Sequence, residues 1–193
     1  MKKLLLLVSF TCYAMYTNAQ MSADEQKMQQ AMTAYGQPSS MHQMLAKSTG
    51  EWTETTKMWM SANAQPITNT ITCKNEMVMN GLFQEGKHTG NFMGMPFDGI
   101  STTGYDNVRK VFTNTWRDNM SSGVMYCEGT YNEAKKCIEF KGKTTCPIQG
   151  KSTDFSQTLW FIDDNTQKLE MWGPDPKTGK TFKNMEITLT RKS

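Results

Sequence analysis

The sequence predicts an all-β protein, an antiparallel up-and-down β-barrel of about ten strands with a short N-terminal helical segment. From residue 51 onward, segments rich in Thr, Val, Ile and aromatic residues alternate with polar residues at period two, as expected of half-buried strands. The connections between them are short and rich in turn residues, so neighbouring strands should run antiparallel. No helical pattern intervenes, which excludes βαβ units. Closure into a barrel removes exposed sheet edges, and a two-sheet sandwich is the main alternative.

The helical segment comes first. Met28 and Met32 recur at helical spacing and predict a helix over 22–35. Gly and Pro residues end it, and a second short helix with Leu45 on its apolar side is expected to end near Gly50. Ten strands should follow, near residues 51–60, 66–74, 82–92, 98–105, 109–118, 122–131, 136–142, 153–162, 167–173 and 180–191.

The first residues read as an export signal. Lys2 and Lys3 precede an apolar run over 4–10, which is too short to span a bilayer, and Ala19 follows as a small residue at a cleavage position. We therefore expect a cleavable signal peptide and a periplasmic or secreted protein. The expected division is signal peptide 1–19, helical segment 20–49 and β-barrel domain 50–193.

Charge and composition limit the partners. The formal net charge of +3 falls by two, to +1, when Lys2 and Lys3 leave with the signal. A near-neutral chain without a basic run argues against nucleic acid as a partner, and no later segment has the length of a membrane span. Oligomeric state is left open by the sequence.

Four cysteines follow the signal. An even number in an exported protein permits two disulfides, with three connectivities open, and free thiols are the alternative. No Cys-x-x-Cys spacing occurs, so neither a zinc knuckle nor a thioredoxin-like site is indicated. The four residues are Cys73, Cys127, Cys137 and Cys146.

The two ends of the predicted barrel support its closure. Gly50 and Trp52 open the first strand, and Arg191 ends the last. An arginine over an indole face makes a cation–π contact that would hold the first strand against the last. This arrangement resembles the lipocalin and calycin barrels, in which a Gly-x-Trp packs beneath a late basic residue.

Longer motifs carry a second resemblance. They are GEWTETTKMWM at 50–60, GNFMGMPFDG at 90–99, GYDNVRKVFTNTWRDN at 104–119 and FKNMEITLTRK at 182–192. Together, and in this order, they resemble the bacterial domain-of-unknown-function family numbered 1579. The resemblance implies a bacterial envelope protein and is compatible with a lipocalin-like barrel, but it implies no activity, because the family has none established.

Methionine and aromatic residues suggest a ligand cavity. The chain has 17 Met, and flexible thioethers on an inner wall can adapt to an apolar guest. We therefore predict a non-enzymatic binding protein for a small apolar or amphipathic molecule, without a bound cofactor. The expected ligand-binding residues are Trp52, Thr56, Met58, Met60, Met93, Met95, Phe97, Tyr105, Asn114 and Trp116.

Two alternatives stay open. Soft thioethers could hold Cu(I) outside the cytoplasm, using the Met-x-Met pairs Met58/Met60, Met77/Met79 and Met93/Met95. An enzyme of unknown reaction would rest on Asp118, Glu128 or His88, although Asp118 is expected to cap a turn. Neither His42 nor His88 has a recognisable catalytic or metal-ligand spacing, so both are expected to be dispensable.

Overall fold

The computed structural model describes residues 21–192, and over them the chain forms a closed barrel of ten antiparallel strands. Each strand pairs with the next along the chain, and the last pairs with the first. The predicted fold class is therefore confirmed. The predicted signal peptide lies outside the described residues.

The elements follow the predicted order. Two helices come first, α1 (Ala23–Tyr35) and α2 (Ser40–Ala46). A short 3₁₀ turn at Met79–Gly81 links the second strand to the third. The strands are β1 (Gly50–Met58), β2 (Ile67–Val78), β3 (Phe83–Phe92), β4 (Met95–Asp106), β5 (Val111–Asp118), β6 (Met125–Asn132), β7 (Cys137–Cys146), β8 (Lys151–Asp163), β9 (Thr166–Pro174) and β10 (Thr181–Arg191).

Helix α1 lies on the outside. Ser22 and Glu25 form a reciprocal capping box at its start, which satisfies backbone donors that the helix itself leaves free. None of its residues is buried. The Asn107 amide holds its far end by donating to the carbonyl oxygens of Tyr35 and Gln37, at 3.2 and 2.7 Å. Neither helix in residues 21–192 has the length and apolar character that a bilayer span requires.

Helix α2 closes one end of the barrel, called the base below. His42 and Leu45 are buried there, and Leu45 packs with Phe112 and Ile138 in the main apolar cluster. Its main-chain oxygen accepts a hydrogen bond of 2.6 Å from the Gln84 amide on β3. The helix thus covers the barrel end with apolar side chains and is joined to β3 by a hydrogen bond from its last turn.

The barrel closes where the sequence predicts. Strands β1 and β10 pair antiparallel with Trp52 opposite Arg191, and the Arg191 guanidinium lies 4.2 Å from the centroid of the Trp52 ring. Trp52 is fully buried, and its indole N–H donates to the Ser48 carbonyl at 2.9 Å. The predicted cation–π contact between first and last strand is confirmed.

The four cysteines of the described chain are free thiols in this structure. Cys73, Cys127 and Cys137 are buried, and Cys146 is half-buried at the end of β7. Burial raises the pKa of the Cys127 thiol to about 12, so this side chain is a neutral donor inside the barrel.

Candidate ligand cavity

A cavity of about 400 Å³ lies inside the barrel, between the base and the opposite rim of hairpins. Its volume is within the range that small-molecule sites usually occupy. Side chains from inward-facing strand positions form its wall, and most are apolar. The apolar lining consists of Met58, Ile71, Phe92, Phe97, Trp116, Met120, Met125, Phe140, Leu159, Leu169, Met171, Met185, Ile187 and Leu189.

A buried polar group interrupts this apolar wall on β1, β2 and β3. We call it the Glu54–Cys73–His88 cluster. The His88 Nδ1 atom lies 2.6 Å from Glu54 Oε2, and the His88 Nε2 atom lies 3.8 Å from Cys73 Sγ. On the next strand, Ser101 Oγ is 3.2 Å from the same Nε2. All three members of the cluster are buried.

Strand register brings the cluster together. Cys73 on β2 lies directly opposite His88 on β3 and opposite Trp52 on β1. Glu54 is two residues after Trp52, so it faces the same side of the sheet and is a diagonal neighbour of Cys73. Three residues that are 34 positions apart at the extremes therefore meet without any local motif.

Glycine makes the space for this cluster. A Cβ atom at Gly86 would lie 2.5 Å from Ser101 Oγ, 2.7 Å from Asn75 Oδ1 and 3.0 Å from His88 Nε2. Real Cβ atoms essentially never approach a neighbour as closely as the first two of these contacts, so Asn75 and Ser101 would have to move. Polar side chains from β2, β3 and β4 thus converge beside Gly86, in space that a larger residue would occupy.

The electrostatics of the cluster follow from burial. A carboxylate only accepts hydrogen bonds, so the proton in the Glu54–His88 contact lies on His88 Nδ1, and in the neutral ring Nε2 keeps a lone pair. Burial, together with the nearby Glu54 carboxylate, raises the pKa of the Cys73 thiol to about 12. The thiol donates to Asn75 Oδ1 at 3.3 Å and is not an activated nucleophile in this state.

Trp116 connects the polar cluster to the apolar wall. Its ring meets the His88 ring edge-on, with centroids 4.8 Å apart, and stacks on Phe97 at 6.2 Å. Its indole N–H donates to Asp118 Oδ2 at 2.7 Å. The large apolar surface of this side chain therefore faces the cavity with its only polar atom satisfied.

A second polar group adjoins the first, because Thr103 follows Ser101 by two residues on β4 and faces the same side. Asn114 Nδ2 donates to Thr103 Oγ1 at 2.9 Å, and Gln157 Nε2 lies 3.4 Å from Asn114 Oδ1 and 3.5 Å from Cys127 Sγ. These uncharged amides are satisfied by one another and provide a neutral polar patch on β5 and β8.

Five of the ten expected ligand-binding residues lie on the cavity wall, namely Thr56, Met58, Phe97, Asn114 and Trp116. Trp52 and Tyr105 lie instead at the base, where Trp52 supports Arg191 and Tyr105 packs on Phe112 with ring centroids 4.8 Å apart. That expected placement is therefore corrected for both residues.

The expected placement of three methionines on the cavity wall is also wrong. Met60, Met93 and Met95 are exposed to 61%, 65% and 48%, and none lines the cavity. The expectation assumed that spacing of two places both members of a pair on one strand face. Met60 follows the end of β1, and Met93 occupies the β3–β4 turn with φ of 50°, so the alternation has already ended at these residues.

The same observation removes the basis of the methionine copper site. Each Met-x-Met pair has one member outside its strand: Met60, Met79 or Met93. Met79 starts the 3₁₀ turn with φ of 51° and is 71% exposed. Paired thioethers on a shared strand face are therefore not present at these positions.

The two carboxylates of the enzyme alternative, Asp118 and Glu128, lie on opposite faces of the sheet. Asp118 lines the cavity and, as predicted, caps its turn by accepting from the Met120 backbone N–H at 3.0 Å. Glu128 pairs with Arg109 on the outer surface, at 2.8 Å, and this contact holds the pKa of the Glu128 carboxyl down at about 2. Two carboxylates on opposite sides of the sheet cannot flank one substrate.

Sequence reasoning missed Glu54, Cys73 and Ser101 and undervalued His88. One local signal was available: His88 alternates with Gly86 and Gly90, so two inward positions beside it carry no side chain. A histidine between two such glycines on a strand has room to face inward.

The fold and cavity define a class of protein: a closed ten-strand barrel with a helix-covered base and an interior cavity lined by apolar side chains and two polar groups. The family described as protein of unknown function (DUF1579) matches residues 37–191, and the chain belongs to this family. The resemblance found in the sequence motifs is thereby confirmed.

Other comparisons concern the fold alone. No curated protein is significantly similar to the chain. The crystal structure of Rv2717c from M. tuberculosis is similar with a TM-score of 0.56 and 13% identity, covering 81% of this chain and 100% of that one. A redesigned β-barrel has a TM-score of 0.41 and 13% identity, covering 77% of this chain and 95% of that one.

Proposed function

We propose that this protein is a non-enzymatic, extracytoplasmic binding protein for a small apolar or amphipathic molecule held inside the barrel. The observation that supports the proposal best is the cavity of about 400 Å³, in which an apolar wall meets buried polar side chains that include the Glu54–Cys73–His88 cluster. The extracytoplasmic location rests on the export signal predicted from the sequence.

The apolar wall favours the body of such a ligand. Removing apolar surface from water contributes roughly 25 cal/mol per Å², so a guest that fills the cavity needs few polar contacts. Methionine side chains from β1, β9 and β10 face the cavity, and their unbranched thioethers can repack around different shapes. These side chains favour selection by size and shape.

The polar cluster would bind the polar end of an amphipathic ligand. Glu54 accepts and Ser101 donates or accepts near His88, so a hydroxyl or amide on the guest could pair with them. Asp118 near the rim offers a second acceptor. Burying the polar end of a guest without a hydrogen bond costs free energy. The guest would therefore bind with its polar end at the cluster.

Titration with the amphipathic fluorophore anilinonaphthalene sulfonate tests the proposal. Trp116 faces the cavity, whereas Trp172 on β9 is 39% exposed and does not line it, so the two Trp→Ala variants form a matched pair. We expect Trp116→Ala to weaken binding of the fluorophore by about tenfold, about 1.4 kcal/mol, and Trp172→Ala to leave it unchanged.

Near-ultraviolet circular dichroism must show that both variants keep their tertiary structure, because removing a cavity-wall tryptophan also affects packing. Equal affinities for the two variants would contradict binding inside the barrel. So would the absence of any fluorophore binding by the folded wild-type protein at micromolar concentration.

A further inference from the structure

Three side chains with different donor atoms converge at one side of the cavity. A carboxylate oxygen of Glu54, Sγ of Cys73 and an imidazole nitrogen of His88 lie within 4.8 Å of one another, and all three residues are buried. Such a group is unusual inside a barrel, because buried ionisable groups are normally paired or bind metal ions.

We propose that the Glu54–Cys73–His88 cluster binds a divalent transition metal ion of the zinc type, with Cys73 Sγ and His88 Nε2 as its ligands and Glu54 holding the imidazole. This inference does not depend on an apolar guest, and it differs from a copper site built on methionine pairs.

The distances suit a tetrahedral ion. Bonds of about 2.3 Å to sulfur and about 2.0 Å to nitrogen place the two ligand atoms roughly 3.6 Å apart in a tetrahedron. Cys73 Sγ and His88 Nε2 are 3.8 Å apart. An ion can therefore bridge them after a shift of a few tenths of an ångström, without moving either strand.

Glu54 prepares the histidine. Its carboxylate accepts from Nδ1 at 2.6 Å, which fixes the ring orientation and leaves Nε2 as the ligand atom, 3.8 Å from Cys73 Sγ and 3.2 Å from Ser101 Oγ. Metal-binding histidines usually have this kind of partner on their second nitrogen, and the partner raises the basicity of the ligating one. The contact also places a negative charge beside the incoming cation.

The remaining coordination positions have oxygen atoms close by. Asn75 Oδ1 lies 3.3 Å from Cys73 Sγ, and Ser101 Oγ lies 3.2 Å from His88 Nε2. Both are near the roughly 3.4–3.6 Å edges of a tetrahedral S, N, O ligand set around zinc. Gly86 leaves the space between them free, as a Cβ there would collide with both oxygens.

The charges balance when the ion binds. The ion forms one bond to sulfur and one to nitrogen, and the Cys73 thiol releases its proton to solvent, as a thiolate ligand requires. A divalent ion, the thiolate and the Glu54 carboxylate then sum to zero, which suits a buried site. One thiolate and one imidazole favour zinc-type ions over Ca²⁺ or Mg²⁺, which prefer sets of oxygen ligands.

A thiol catalytic triad is the competing interpretation of the same residues. It requires donors aimed at a developing oxyanion near the sulfur. The backbone beside Cys73 is paired on both sides, in the β1–β2 and β2–β3 ladders, so its N–H groups are not free to stabilise an oxyanion. The geometry therefore favours metal binding over nucleophilic catalysis.

Titration of the reduced, chelator-treated protein with Co²⁺ tests the site, because tetrahedral cobalt–thiolate coordination has characteristic visible and near-ultraviolet absorption bands. We expect one equivalent to develop these bands in the wild-type protein and Zn²⁺ to remove them by displacement. Cys73→Ser should abolish the thiolate band. Cys127→Ser is the matched control, since this thiol is also buried in the barrel, and it should leave the spectrum unchanged.

Two further variants separate a structural role from a ligand role. His88→Ala should weaken Zn²⁺ binding by more than about a hundredfold, and Glu54→Gln by about 10- to 100-fold, as for other carboxylates that orient a ligating histidine. Circular dichroism must show that each variant is folded. For variants that do not fold, anomalous diffraction from wild-type crystals soaked in Zn²⁺ gives the same test, with a peak expected between Cys73 and His88.

The proposal is overturned if the wild-type protein shows only octahedral cobalt bands or none. It is also overturned if Cys127→Ser loses the thiolate band as Cys73→Ser does, or if the anomalous peak lies elsewhere. None of these outcomes bears on anilinonaphthalene sulfonate binding, so the ligand-binding proposal stands or fails separately.

Discussion

The guanidinium of Arg191 lies over the ring of Trp52 and also donates to the main-chain oxygens of Lys47 and Thr49, both at 2.7 Å. Its Nε atom donates to the Asp164 carbonyl at 2.9 Å. One side chain at the end of the last strand therefore connects the first strand, the turn after α2 and the β8–β9 hairpin. This planar group of fixed donors cannot be reproduced by lysine.

Replacing Arg191 with Ala should lower the free energy of unfolding by about 2 kcal/mol, because a cation–π contact and three hydrogen bonds from a charged donor are lost at a partly exposed site. Arg191→Lys should recover only part of this loss. Urea unfolding followed by tryptophan fluorescence measures it. Arg117→Ala, an exposed arginine on β5, is the control, and an equal effect of both variants would contradict the role assigned to Arg191.

Adding one methyl group at Gly99 should disturb the cavity wall. Its Cβ would lie 2.6 Å from the Trp116 ring, so Gly99→Ala must displace the indole and should destabilise the protein by about 1–3 kcal/mol. Tryptophan emission should shift as well. Gly123→Ala serves as the control because its Cβ would make only an ordinary contact of 3.7 Å with Thr145. Unchanged stability and emission in Gly99→Ala would show that the wall yields easily.

Met58 and Met60 offer a matched pair of identical residues two positions apart. Met58 lines the cavity, and Met60 is exposed beyond the strand end. Met58→Ala should therefore weaken anilinonaphthalene sulfonate binding by about fivefold, about 1 kcal/mol, through lost apolar contact. Met60→Ala should have no effect in the same fluorescence titration. A larger effect of Met60→Ala would place the binding site outside the barrel.

Protonation of His42 should make the protein less stable in mild acid. Burial lowers the pKa of His42 below its ordinary value of 6.5, and its Nδ1 accepts a hydrogen bond from the Ser39 backbone N–H at 2.9 Å. The unfolded chain thus takes up the proton more readily than the folded one. Above pH 6.5 His42 is neutral in both states and does not alter the free energy of unfolding. As the pH falls below that value, proton uptake by the unfolded chain lowers the free energy of unfolding.

The test is the melting temperature of wild-type protein and of His42→Asn between about pH 5 and pH 7. Asparagine can still accept from the Ser39 N–H but does not titrate in this range, so the variant should show a smaller fall on acidification. Parallel pH profiles for the two proteins would show that His42 contributes nothing to this dependence.

The barrel could be predicted from the sequence because its determinants are local. Alternation along each strand and turn residues between strands specify ten antiparallel strands, and Trp52 and Arg191 identify the pair that closes the sheet. Alternation and turn signals depend on neighbours in the chain, which a sequence displays directly, whereas Trp52 and Arg191 were paired by their places at the two ends of the strand series.

The candidate site could be predicted only in part. Met58 and Trp116 lie within regular strands, so their alternation placed them correctly, whereas Met93 lies in a turn with positive φ that alternation does not foresee. The approach of Glu54 to His88 depends on the register of two successive hairpins. A shift of one residue in either hairpin would move one partner to the opposite face, and a single sequence does not determine register that finely.

Helix α2 gives the cavity a blind end. Leu45 and its neighbours cover the base, so the proposed guest would exchange past the opposite hairpins, where Met58 and Asp118 end their strands. When entry and exit share one path, a substitution in those hairpins can alter only the free-energy barrier to passage. The association and dissociation rate constants then change by the same factor. Residence time can then be tuned at the rim while the equilibrium constant is set by the wall.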